Sequence, residues 1–336
     1  MRRWTVFGVV LFAALAGRVV VSGAAAAKSY LLVANKGDQA LGIIDPASGK
    51  MIANVAEGGN TGHEVIASPD GRMAYVPIYG DSAVGEPGAD GSKLVAIDLA
   101  THKVTGTLDF GHGVRPHCPR FGPTDGMLYV TTELDEAITV IDPRTLKIAY
   151  KIPTGQKESH MFVISHDGKR GYTANVGPGT VSVLDLAARK TLAVIPVSGQ
   201  TQRIAISGDD RMVFTADQVK PRIAVIDTAT DKVTHWVALP GLGYGTAPTA
   251  DGRYLLAAIP KANKVAVVDL HAMQVVRSID VPSVPHEVLM APDQRSAYVS
   301  CDASGKVAQI SLADWSVRLI GAGKTADGLA WAGGAL

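Results

Sequence analysis

Two cysteines, Cys118 and Cys301, are all that the 336 residues contain. That excludes a disulfide-stapled scaffold, so a buried apolar core must hold the chain together. One disulfide is chemically allowed, but the repeat described below separates the two thiols by several units. An excess of charge is also lacking, with a formal net charge of +1. Nothing in that balance attracts nucleic acid over a distance, and nucleic acid is not an expected partner. The chain has no GxxxxGK[ST] phosphate loop, no GxSxG elbow and no HExxH pair. Amphipathic helical periodicity is absent after the N-terminal segment.

Only one long apolar run exists, from Val6 to Ala16. Arg2 and Arg3 precede it, Arg18 interrupts its continuation, and Ser22 to Ala27 supply small residues for cleavage. Residues 1–28 therefore read as an export signal. The run is too short and too broken for a stable transmembrane anchor. A periplasmic or secreted location is expected, with 29–336 forming one domain. Loss of Arg2, Arg3 and Arg18 leaves the mature chain slightly acidic.

What the chain does have is repetition. An apolar residue followed by Asp closes a short alternating run at Asp45, Asp98, Asp142, Asp185, Asp227 and Asp269, with Ser311 as a degenerate seventh. After a longer first interval the period settles at about 42 residues. Upstream of each internal copy lies a turn: SPDG at 68–71, PTDG at 123–126, SHDG at 165–168, SGDD at 207–210, TADG at 249–252 and APDQ at 291–294. Asp bonds its own backbone in such turns and Gly accepts positive φ. Each unit divides into four short strands, which predicts an all-β fold of propeller blades. Six complete units run from about 56 to 320. Three strands remain at the N-terminus and one at the C-terminus. Together they make a seventh blade that closes the ring and leaves no sheet edge.

The runs SPDGRMAYV at 68–76, DGMLYVTT at 125–132, DGKRGYTAN at 167–175, AITVIDPRTLK at 137–147 and TVSVLDLAARK at 180–190 resemble the YVTN family of β-propeller repeats. The resemblance covers essentially the whole mature chain. It implies a propeller. For activity it implies a range: binding proteins, surface proteins, lactonase-like enzymes and accessory proteins of quinone or haem metabolism.

In a propeller the uniform SPDG and Asp-xx-Thr turns share one face and read as scaffold. The opposite face varies. Seven residues before each turn Asp, at the start of the innermost strand, stand His63, His117 (allowing a one-residue insertion), His160, Gln202, Tyr244 and His286, with Asp327 in the split blade. Four of the nine histidines occupy this one repeat position. They are expected to converge at the channel mouth. Arg115, Glu158 and Arg203 lie beside them. A second ring, at the ends of the second strands, is expected from Asn35, Asn175, Asp217 and Cys301, with Ile78, Thr132 and Ile259 between. The longest insertion, 79–93, opens on the same face and carries Asp81, Glu86 and Asp90, oxygen ligands of a kind calcium takes. Strand alternation sends Glu64 and Glu287 away from the axis, toward polar pairing with a neighbouring blade. The same offset turns Cys118 away. Trp236, Trp315 and Trp331 are expected to pack between blades.

The expected function is recognition of a small molecule or protein partner at the channel mouth. The alternative is a metal-dependent lactonase- or lyase-like enzyme. In that case His63, His117, His160 and His286 hold a transition metal such as Zn, Cu or Fe. A structural cell-envelope protein is the third reading.

Overall fold

The computed structural model describes Met1, Trp4 and residues 29–333. The expected export signal therefore lies almost wholly outside the described residues. Twenty-eight strands form seven four-stranded antiparallel sheets. The innermost strands touch one another in sequence round a ring, which makes a seven-bladed β-propeller. Blades one to six span 66–109, 116–153, 159–196, 201–238, 246–280 and 285–321. Blade seven is composite. Its inner strand is Ala326–Ala332, which pairs with Tyr30–Asn35, and two further N-terminal strands complete it. The three-plus-one closure expected from the repeat is the one found.

Local chemistry explains the repeat. In blade one the Ser68 hydroxyl donates to Asp70 and accepts from the Arg72 and Met73 amides. Gly71 takes φ +69° at the tight point of that turn. Blades four and six lack the glycine and put Asp210 and Gln294 into the same left-handed conformation. On the same face, at the end of the third strand, Asp98 Oδ1 accepts from the Ala100 and Thr101 amides and the Thr101 hydroxyl.

Burial follows from stacking. The second and third strands of each blade are covered on both faces by neighbouring blades and read as apolar runs, such as Leu31 to Ala34 and Val265 to Val268. Outer strands alternate, since only one of their faces meets a neighbour. Trp331 packs edge-on to Tyr298 of blade six, with ring centres 5.0 Å apart, and donates to the Met290 carbonyl. Trp315 packs edge-on to Tyr254 of blade five, with ring centres 5.5 Å apart. Trp236 departs from expectation: the Arg222 guanidinium of its own blade covers it at 3.5 Å. Cys118 and Cys301 are both free thiols in separate apolar clusters.

Two inner-strand glycines are positionally required. A Cβ on Gly245 would sit 2.1 Å from the His286 carbonyl oxygen, and one on Gly328 would sit 2.5 Å from that of His63. Adjacent inner strands approach backbone to backbone there, drawing the histidines of neighbouring blades toward the axis.

Candidate functional site at the channel mouth

The inner strands do not start regularly. Pairing with the second strand shifts register between Pro116 and Pro119, Ser159 and Met161, Thr201 and Ile204, and Pro285 and Val288. A bulge of this kind re-aims side chains. In those four blades it falls on the repeat position picked from sequence, and at this position His63, His117 and His160 come together. The His63 and His117 rings meet edge-on at 5.6 Å, and His117 and His160 stack at 3.6 Å with 30° between planes. Tyr79 fills the angle between them, its ring 4.7, 5.2 and 5.9 Å from His63, His117 and His160. The Tyr79 hydroxyl donates to Glu133 at 2.8 Å, and the other oxygen of that carboxylate bonds His160 Nδ1. These rings form one wall of the channel.

The other wall is charged. Tyr244 packs on His286 at 4.8 Å. His286 Nδ1 lies 3.3 Å from Asp327 and 3.6 Å from Asp302. Lys36 bridges the same two carboxylates at 2.9 and 3.2 Å. Below them Arg203 contacts Asp327 at 3.2 Å and Glu64 at 2.6 Å. Gln202 is half-buried between the two walls in the ring order.

Electrostatics differ between the walls. Burial pushes the His63 imidazole down to about 3, against the opposing pull of Asp327. Burial, then the neighbouring rings of His160 and His63, holds His117 well below the ordinary imidazole value. Both are neutral at physiological pH. His117 is 2% exposed and its Nδ1 has no hydrogen-bond partner. On the charged wall burial alone would raise Asp327. Lys36, the His286 hydrogen bond and Arg203 outweigh it and hold that carboxyl well below the usual range.

Other expectations need correction. Asn35, Asn175, Asp217 and Cys301 do not form a second ring of the mouth. The Asn35 carbonyl accepts from the Gly323 amide. Asn175 is consumed by Ser159, Thr173, Thr180 and Ser182. Asp217 ties down Ser198, Arg222 and two turn amides. Cys301 is fully buried, and burial pushes its thiol up to about 12. The residues that reach the mouth stand one place further on: Lys36, Tyr79, Glu133 and Asp302. Three of these open a short 3-10 turn, Lys36–Asp38, Glu133–Asp135 and Asp302–Ser304. With a side-chain period of two, a shift of one residue changes the face. The charged and aromatic character of this following set was the available signal.

Glu64 was expected to pair with a neighbouring blade, but its partner is Arg203 on the far side of the axis. Glu287 matches expectation in part: it accepts from the Leu329 amide of blade seven at 2.6 Å and also lies 4.0 Å from Arg203. Two carboxylates of the 79–93 insertion are engaged by the protein itself. Asp81 accepts from the Ala89 amide, and Asp90 pairs with Arg115 at 2.6 Å. Arg115 also donates to the Glu86 and Ala83 carbonyls, which pins the loop. A methyl group on Gly85 would sit 3.3 Å from Glu158, so the loop extends toward the start of blade three.

The metal expectation fails its geometric test. Among the described residues no group of three or more His, Cys, Asp or Glu side chains is arranged to hold a metal ion. His117 and His160 meet face to face, an arrangement that does not aim both lone pairs at one point. His286 engages Tyr244 and two carboxylates instead.

No protein-family model and no curated protein sequence matches the chain. Solved structures do. A Kuenenia stuttgartiensis hydrazine synthase chain superposes with TM-score 0.71 at 19% identity, over 84% of this chain and 92% of that one. A functionally unknown protein from Desulfotomaculum acetoxidans superposes with TM-score 0.73 at 12% identity, over 91% and 99%. These likenesses show the propeller fold alone.

Proposed function

We propose that this chain is an exported binding or accessory protein of the YVTN type. Its channel mouth receives a small planar molecule, or a planar side chain on a partner, that carries a hydrogen-bonding group. The observation that carries this reading is His117: a neutral, buried imidazole with an unpartnered Nδ1, set in a wall of four rings. A buried polar atom without a partner costs about 1–3 kcal/mol, and a ligand that satisfies it recovers that cost. Stacking on His63, which Tyr79 backs, supplies apolar contact, and the Lys36–Asp302–Asp327 wall supplies orientation.

Calorimetric titration with nicotinamide, and with benzene as the analogue lacking the polar group, tests this reading. Saturable binding of nicotinamide alone, lost in His117→Ala and in Tyr79→Ala, is the expected result. Equal response of wild type and His117→Ala to both probes would remove the site. Export is tested separately by N-terminal sequencing of protein recovered outside the cytoplasm, which should begin after Ala27.

A further inference from the structure

The opposite end of the channel, on the face that the uniform turns mark as scaffold, holds a cavity of about 300 Å3. Its rim is made by turns at His166, Gly208, Ala250 and Gln294 of blades three to six. Its floor is Arg203 and Glu287, so the same central ion pairs separate it from the histidine wall. Two buried donors in its lining, on Arg203 and Thr246, are unsatisfied, and the half-buried Arg120 carries spare N–H groups. Arg120 makes no ion pair among the described residues, and its one hydrogen bond goes to the adjacent Pro119 carbonyl at 2.9 Å. Arg203 leaves its Nε–H without a partner although its side chain is only 4% exposed. The Thr246 hydroxyl is buried and unpartnered. Met161, Ile204, Ile206 and Val288 make the intervening wall apolar.

A guanidinium with spare N–H groups is the side chain best matched to a carboxylate, which it can bind through two parallel hydrogen bonds. Buried donors without partners are uncommon in native folds and call for an explanation. We propose that this cavity is a second ligand site, one that takes a small monocarboxylate with a short aliphatic chain. The carboxylate meets Arg120, with the Arg203 Nε–H and the Thr246 hydroxyl as further donors, and the chain lies on Met161 and Ile204. Glu287 does not oppose this at neutral pH. Burial first, and then Glu64, pushes its carboxyl up to about 8, so it is mostly protonated. Arg203 is shared with the charged wall of the mouth, whereas Arg120, Thr246, Met161 and Ile204 belong to this cavity and not to the mouth, and neither reading depends on the other.

The test is calorimetric titration of the full mature protein with pentanoate, and with pentan-1-ol as the uncharged analogue. Saturable binding of pentanoate is expected, with pentan-1-ol much weaker. Loss of the charge-assisted contact in Arg120→Met should weaken pentanoate by roughly tenfold or more. Thr246→Val, a near-isosteric change, should weaken it less. His117→Ala, at the other end of the channel, should leave pentanoate binding unchanged. No saturable pentanoate binding up to tens of millimolar would overturn the proposal. So would equal affinity for the alcohol, or unaltered affinity in folded Arg120→Met and Thr246→Val proteins. A melting curve for each variant identifies which of them are folded.

Discussion

Arg203 Nη1 lies 2.6 Å from Glu64 Oε1, across the channel from blade four to blade one. Both side chains are essentially buried, and the same guanidinium reaches Asp327 in blade seven at 3.2 Å. Three blades distant along the chain are thus tied at the axis by one cation. Removing it leaves the buried Glu64 carboxylate uncompensated and takes one partner from Asp327, which keeps Lys36 and His286. Arg203→Met is therefore expected to lower unfolding free energy by about 3–5 kcal/mol in urea titration. Adding Glu64→Gln should recover part of that loss, because one stranded charge goes. A wild-type midpoint for the single variant would show that water already screens these groups.

Arg115 holds the insertion after the second strand of blade one through Asp90, Ala83 and Glu86. These contacts fix a loop and bury little apolar surface. Arg115→Ala should speed cleavage on the N-terminal side of Asp90 by an aspartate-specific (Asp-N) endoprotease several-fold. The melting temperature should move by only a few degrees, because local opening is separate from global unfolding. Unchanged cleavage with a large drop in melting temperature would mean that Arg115 supports the ring and not the loop.

How far the sequence carries is clear from particular residues. The Asp-Gly turn at 70–71 and its copies set a period, and the period sets blade count, closure and face. His63, His117 and His160 share one repeat position, and that was enough to bring them together. Tyr79 and Glu133 were passed over because the ring was read at the strand-end repeat position of Ile78 and Thr132, one residue short: Tyr79 is still in its strand and Glu133 opens a 3-10 turn. Arg203–Glu64 was invisible for a different reason. Alternation alone points Glu64 toward a neighbouring blade, and only the width of the channel relative to the length of an arginine decides that the two side chains meet across the axis.

The neutral imidazoles give stability an acid limb with a defined sign. His63 is pushed down to about 3 and His117 lies well below its ordinary value, while unfolded histidine titrates near 6.5. Above 6.5 neither state binds the proton, and these groups contribute no slope. As pH falls below 6.5 the unfolded chain takes up protons that the native state refuses, so stability drops. Each group adds up to about 1.4 kcal/mol per pH unit. His117→Phe keeps a ring in the stack and removes one titration. It should lose less stability than wild type between pH 6.5 and 4, as read from urea midpoints. Parallel acid limbs would place the His117 proton affinity near that of the unfolded chain.

Glu287 acts in the opposite sense. Burial and Glu64 push its carboxyl up to about 8, from 4.5 in the unfolded chain. Below 4.5 both states hold the proton and nothing is gained or lost. Between 4.5 and 8 the native state keeps a proton that the unfolded state has released, so this group lowers stability as pH rises. Above 8 the deficit is constant. Glu287→Gln can still accept from the Leu329 amide and carries no charge to desolvate. Its unfolding midpoint should match wild type near pH 4.5 and exceed it increasingly up to pH 8. Glu57 adds a wild-type slope of the same sign that the variant retains, since burial pushes it up to about 7. The difference between variant and wild type therefore isolates Glu287. A difference that is flat across this window would mean that Arg203, 4.0 Å away, keeps the carboxylate ionised in the folded protein.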